Sequence, residues 1–223
     1  MDCKLLIQAM TKFVLGFVLI ALLLFIPAGT LKYWNAWLFM GIFFVPMFFA
    51  GMILMIRNPD LLRKRLNAKE KEAEQKIVIL LNGVMFLCGF VIAGLNYRFG
   101  WIVLPEWIVA VAAVVFLLAY LLYAEVLREN TYLSRTVEIQ ENQKVIDTGL
   151  YGIVRHPMYS STILLFLSMP LVLGSLLSFI IFLIYPVIMA KRINNEEQVL
   201  EKGLAGYSAY KSRVKYRVIP FVW

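Results

Sequence analysis

The run MYSSTILLFLSMPLVLGSLLSFIIFLIYPVIM, residues 158–189, holds 32 residues without a charge and is interrupted by Pro170 and by Gly174-Ser175. As one helix it would rise about 48 Å, well beyond the roughly 30 Å of a bilayer's hydrocarbon core. Two helices turning near Gly174 fit better, since glycine admits a tight turn and proline interrupts a continuous helix. Such a hairpin returns the chain to the side it left. The polar segments on either side of it must then lie together.

Working outward, the same logic covers the rest of the chain. With 61% hydrophobic residues, 16% charged residues and a mean hydropathy of +0.78, the composition excludes a soluble domain of this size. Spans are expected at about 13–28, 34–56, 77–95 and 107–126. The first is expected to be retained and not cleaved as a leader, because the next apolar run follows so closely. Tyr33, Trp34 and Trp37, then Tyr97, Trp101 and Trp107, mark interfaces. The expected fold is an all-α integral membrane protein: four transmembrane helices, a C-terminal helical hairpin (5–6 membrane helices in all) and a cytoplasmic tail helix. Residues 1–126 form the four-span region and residues 127–223 the part that carries the chemistry.

Charge placement supports this topology. If the N-terminus, residues 57–76, residues 127–157 and the tail after Ala190 share one side, only Lys32 and Arg98 of the 22 Lys and Arg fall on the other. By the positive-inside rule the crowded side is cytoplasmic. The formal net charge of +8 is then explained by topology and anionic headgroups, and nucleic acid is excluded as a partner. Residues 57–76 read as a solvated helical connection against those headgroups. Cys3 and Cys88 show no ligand spacing and His156 is the sole histidine, so no metal site is expected. Within 127–157, residues 136–140 and 144–147 alternate on either side of Glu141-Asn142, which suggests a short β-hairpin.

Two polar constellations flank the long apolar run. Gly149-Leu-Tyr151-Gly-Ile-Val-Arg155-His156-Pro157-Met158-Tyr159 precedes it. Arg192, Glu196 and Glu197 follow it on a helix whose apolar stripe is Ile193, Leu200 and Leu204, with Asn195, Gln198 and Lys202 opposite. Arg192 and Glu196 are spaced to pair at i,i+4. Cations, carboxylates and aromatic faces at one membrane edge suit a zwitterionic ligand carrying a flat base. The set lacks a nucleophile elbow, and Gly149-Leu-Tyr-Gly152 lacks the spacing of a dinucleotide fingerprint. Tyr207, Tyr210 and Tyr216, interleaved with Lys211, Arg213, Lys215 and Arg217, read mostly as interfacial anchoring.

Gly149-x-Tyr151, Arg155-His-Pro-Met-Tyr159, Arg192-x-x-x-Glu196-Glu197 and Tyr207-x-x-Tyr210 together resemble the isoprenylcysteine carboxyl methyltransferase family and its phospholipid and thiol methyltransferase relatives, from about residue 129 onward. The resemblance implies S-adenosyl-L-methionine as cofactor, with S-adenosyl-L-homocysteine as product. It implies cofactor contacts from Gln143, Lys144, Val145, Ile146, Gly149, Tyr151, Arg155, His156, Pro157, Met158, Tyr159 and Glu196. Arg192 would face the acceptor, and Arg192, Glu196 and Glu197 would form the catalytic group. The acceptor would be lipophilic or membrane-embedded. A carboxylate or thiolate would need no general base, whereas an amine would draw on Glu197 or a neighbouring acid. Two other classes compete: a membrane reductase of sterol-reductase type using NADPH, and a non-enzymatic transporter or scaffold.

Overall fold

A computed structural model describes residues 3–66, 73–133 and 139–223. The described residues form α-helices and one 3-10 turn, with no strand among them. α1 (Cys3–Ala28) starts ten residues before the expected span. The extension keeps helical phase, and Leu5 packs on Met55 and Leu62 in a small cluster of its own. α2 (Trp34–Arg57) follows after a turn at Gly29. Asn58 then accepts from the Leu61 N–H at 3.1 Å. With Pro59 in the first position, that cap starts α3 (Pro59–Leu66). α3 is only partly solvated, since Leu61 and Leu62 are buried.

α4 (Ala73–Phe99) and α5 (Glu106–Glu129) are joined at Gly100. The Asn96 amide closes that turn by bonding both the N–H and the carbonyl of Ile102. Among the described residues, five helical stretches are long and apolar enough to cross a membrane: α1, α2, residues 75–99 of α4, α5, and Leu176–Gly203. Their apolar outer faces, among them Leu80, Leu121 and Val187, are exposed as lipid contact requires. The chain is a multi-pass membrane protein.

The expected hairpin is present. α6 (Pro157–Val172) begins on its proline and gives way to a turn at Gly174, whose φ of +71° favours glycine. Ser175 caps α7 (Leu176–Phe182) by accepting from the Ser178 N–H. α8 (Tyr185–Gly203) follows after two residues that keep helical torsions, Leu183 and Ile184. The tail helix predicted from Lys191 onward is therefore the continuation of the second limb. α9 (Tyr207–Arg213) is a separate short helix beyond Gly206.

Three turns converge at one end. The Tyr33 hydroxyl donates to the Leu173 carbonyl at 2.6 Å, the Asn35 amide donates to Val172, and the Tyr97 hydroxyl donates to Lys32. Lys32 and Arg98 belong to this end, and the described parts of the other polar segments gather at the opposite one. Between the ends, α5 packs along α6, while α4 packs on α1, α7 and α8. At Gly89 a Cβ would fall 2.2 Å from the Phe182 ring. The core runs unbroken from Leu24 to Val218, across the boundary drawn at residue 126.

One local expectation fails. Residues 139–147 form no strand; they turn at Asn142, with the Gln143 N–H donating to the Gln140 carbonyl. Residues 134–138 lie outside the described residues. The apolar side chains that would have paired across a hairpin, Ile139 and Val145, pack instead on Leu204, Tyr207 and Tyr210.

Candidate functional site

Pro157 fixes where α6 begins, which leaves Arg155 and His156 at the mouth of the bundle. Their backbone N–H groups donate to the Tyr216 and Arg217 carbonyls at 2.9 and 2.8 Å. The chain after α9 is thereby threaded across the RHP segment. The Arg155 guanidinium reinforces this contact by donating to the Val214 and Lys215 carbonyls.

Both charges of the buried pair are accounted for. Arg155 Nε donates to Glu197 Oε1 at 2.7 Å, and the two side chains are only 5% and 3% exposed. His156 Nε2 lies 3.2 Å from the same oxygen, and Arg217 donates to the other at 3.2 Å. Lys211 Nζ is 3.7 Å away. Dehydrating a carboxylate costs several kcal/mol, which only this density of cations and donors offsets. Glu197, expected among the catalytic group, thus sits behind the wall as an anchor for the tail. Arg155, expected at the cofactor, is spent largely on the same contacts.

In front of that cluster opens a cleft of about 870 Å³, counting the space at its mouth. Gln143, Lys144, Val145, Ile146, Tyr151, Arg155, His156, Met158, Tyr159, Arg192 and Glu196 all line it. Of the residues named from sequence, Gly149, Pro157 and Glu197 do not. Gly149 acts from outside, in a 3-10 turn (Gly149–Gly152) with φ of +50°. Glu129 holds that turn by accepting from the Thr148 hydroxyl at 2.8 Å and the Leu150 N–H at 3.2 Å. A Cβ at Gly149 would come within 2.3 Å of this carboxylate.

Arg192 and Glu196 are joined through Tyr159. Arg192 Nε donates to the Tyr159 hydroxyl at 2.8 Å, and that hydroxyl donates to Glu196 Oε2 at 2.6 Å. Glu196 Oε1 lies 4.0 Å from His156 Nδ1. The pair foreseen along one helix is therefore a relay through α6. Asn195, assigned to the outer face, instead accepts from buried Gln75 on α4 at 2.7 Å.

Residues not singled out as ligand contacts complete the cleft: Asn130, Tyr132 and Leu133 after α5, Val199 and Leu200 on α8, and Leu204, Tyr207 and Tyr210 beyond it. Leu200 and Leu204 were visible as an apolar stripe, which did not reveal that it faces a cleft. Asn130 donates to the Tyr151 hydroxyl at 2.9 Å, and the Tyr210 hydroxyl donates to the Tyr151 carbonyl at 2.8 Å. Burial raises the Tyr151, Tyr207 and Tyr210 phenols above their usual range, so all three stay protonated at neutral pH. The Tyr207 hydroxyl is buried with no hydrogen-bond partner.

A polytopic helical bundle with an aromatic, ionic cleft at its charged end defines a membrane protein suited to a ligand with both ionic and flat apolar parts. Residues 107–202 match the model of the isoprenylcysteine carboxyl methyltransferase (ICMT) family. That match bears out the resemblance drawn from the motifs and supports a membrane methyltransferase. It takes in α5 to α8 almost completely and ends before α9. The chain is also similar to Delta(14)-sterol reductase TM7SF2 of Mus musculus, with 31% identity over 91 residues. The similarity covers 40% of this chain and 22% of that relative, so the chain spans about a fifth of the relative's length.

Proposed function

We propose that the chain is an S-adenosyl-L-methionine-dependent methyltransferase acting on a lipophilic acceptor dissolved in the membrane. The observation that carries this reading is the cleft itself, where the RHP segment, residues 143–146 and α8 converge within the family-matched region. The donor set fits the cofactor. Glu196 offers an anionic oxygen to an ammonium, Tyr151 and Tyr132 offer aromatic faces, and Val145, Leu200 and Leu204 offer an apolar bed. When bound, the cofactor supplies a methyl group already activated on a sulfonium.

The chain's own residues then orient the reactants and exclude water. Tyr159 fixes Glu196 against Arg192, so the carboxylate and the guanidinium hold their places on one wall. Arg192 gives that wall a cation for an anionic acceptor, a carboxylate or thiolate, for which no proton has to leave. Glu197 is saturated by Arg155, His156 and Arg217. An amine acceptor would therefore depend on Glu196 for a base. The charge asymmetry supports a cytoplasmic location for the cleft, the N-terminus and the tail.

The test is binding of S-adenosyl-L-homocysteine to the purified protein, measured by calorimetry. Affinity is expected to be lost in His156→Ala and Glu196→Ala, and full affinity in both variants would refute the site. A reductase reading draws on the sterol reductase similarity. Thermal stabilisation by NADPH but not by S-adenosyl-L-homocysteine would favour it.

A further inference from the structure

Among the described residues, three buried side-chain polar atoms have no hydrogen-bond partner: Gln75 Oε1, Asn82 Oδ1 and the Tyr207 hydroxyl. Of their residues, only Tyr207 lines the cleft. Its residue is 4% exposed. The other cleft tyrosines that are equally buried all have partners: Tyr151 with Asn130, Tyr159 with Arg192 and Glu196, and Tyr210 with the Tyr151 carbonyl. A hydroxyl withdrawn from water without a partner is destabilising, and a phenylalanine would fill the same space without that penalty. Tyr207 lines the cleft, and a ligand seated against it accounts for the orphan hydroxyl if it completes it.

The surroundings specify what it would bind. Leu200, Leu204 and Val145 pack against the same small cluster, and the Tyr210 ring centroid lies 5.8 Å from that of Tyr207. That environment suits a flat, uncharged group. The charged groups acting on the phenol are Glu197 and Glu196 first, then Arg155. The phenol stays protonated, so it acts as donor.

We propose that the Tyr207 hydroxyl is a ligand contact that donates to a neutral acceptor, a ring nitrogen or ribose oxygen, in the nucleoside half of the bound cofactor. This rests on the methyltransferase reading and names a contact that lies beyond the family-matched segment.

The experiment compares two probes on the full-length protein in lipid nanodiscs. S-adenosyl-L-homocysteine carries both halves of the cofactor, and 5′-methylthioadenosine carries the nucleoside without the amino acid. Tyr207→Phe is expected to weaken both by a similar factor, up to about tenfold, the range of one hydrogen bond. The ligand-free melting temperature should stay unchanged or rise, because the variant removes an unsatisfied group. Glu196→Gln should weaken S-adenosyl-L-homocysteine alone, marking the amino-acid end. Unchanged affinity for both probes in Tyr207→Phe overturns the proposal. So does selective loss of S-adenosyl-L-homocysteine, which would move the hydroxyl to the amino-acid end, or a fall in ligand-free stability, which would make its role structural. If the wild type binds neither probe, the methyltransferase reading itself falls and the contact with it.

Discussion

Replacing Glu197 with glutamine keeps the side chain's shape and removes its charge. In the folded protein that carboxylate answers Arg155 at 2.7 Å, His156 at 3.2 Å and Arg217 at 3.2 Å, almost entirely out of water. Neutralising one member of a buried pair leaves the other uncompensated, at a cost of about 3 kcal/mol or more. The cluster lies at the end of the bundle, so the loss should fall first on the docking of residues 214–218 against Arg155 and His156. About 3 kcal/mol shifts that local equilibrium toward the undocked form by roughly a hundredfold. Hydrogen exchange read by mass spectrometry should show the Arg155 and His156 amides losing protection, while amides within α4 and α5 keep theirs. Trypsin should also cut faster after Lys215 and Arg217. A paired Arg155→Met and Glu197→Leu replacement should not restore protection, because the Val214 and Lys215 carbonyls lose their donor and Arg217 loses its carboxylate. Unchanged exchange in Glu197→Gln would refute the view that this ion cluster holds the rear wall.

Tyr159→Phe removes the hydroxyl joining Arg192 to Glu196, and hydrogen bonds to charged groups contribute about 1.5–3 kcal/mol each. Affinity for S-adenosyl-L-homocysteine is expected to fall at least tenfold by calorimetry. Gly149→Ala puts a methyl group against Glu129 at positive φ, which should cost about 1–2 kcal/mol of stability in a thermal melt. Gly89→Ala collides with Phe182 and should cost about 1–3 kcal/mol; a second change, Phe182→Leu, is expected to restore much of the melting temperature.

The hairpin was legible because it rests on length and charge counts, which need no knowledge of neighbours. The site was legible as two halves, since each half is local: RHP before α6, and Arg192 with the glutamates on α8. Their partners were not. Glu196 and Glu197 are adjacent in the sequence, and only the approach of Arg155 and Arg217 from other segments separates a cleft carboxylate from an anchoring one. The Arg155 and His156 N–H groups bond the Tyr216 and Arg217 carbonyls, and backbone partners of this kind leave no mark in the sequence pattern. Tyr207 belonged to a run of tyrosines and bases that reads as interfacial. Gly206, which turns the chain just before it with φ of +84°, was the available sign that this run folds back.

The second limb of the hairpin is one nearly continuous rod from Leu176 through Glu196, with its pivot at Gly174. Glu196 lies about 30 Å along that rod, so a tilt of roughly 5° swings it by about 2.6 Å, close to the length of a hydrogen bond. Packing against neighbouring helices sets the tilt of such a rod, and this one packs on α4 and α6. The wall that carries Arg192 and Glu196 is therefore the far end of a lever whose angle is held by α4 and α6, and the Tyr159 hydroxyl is the latch that pins that end to the opposite limb.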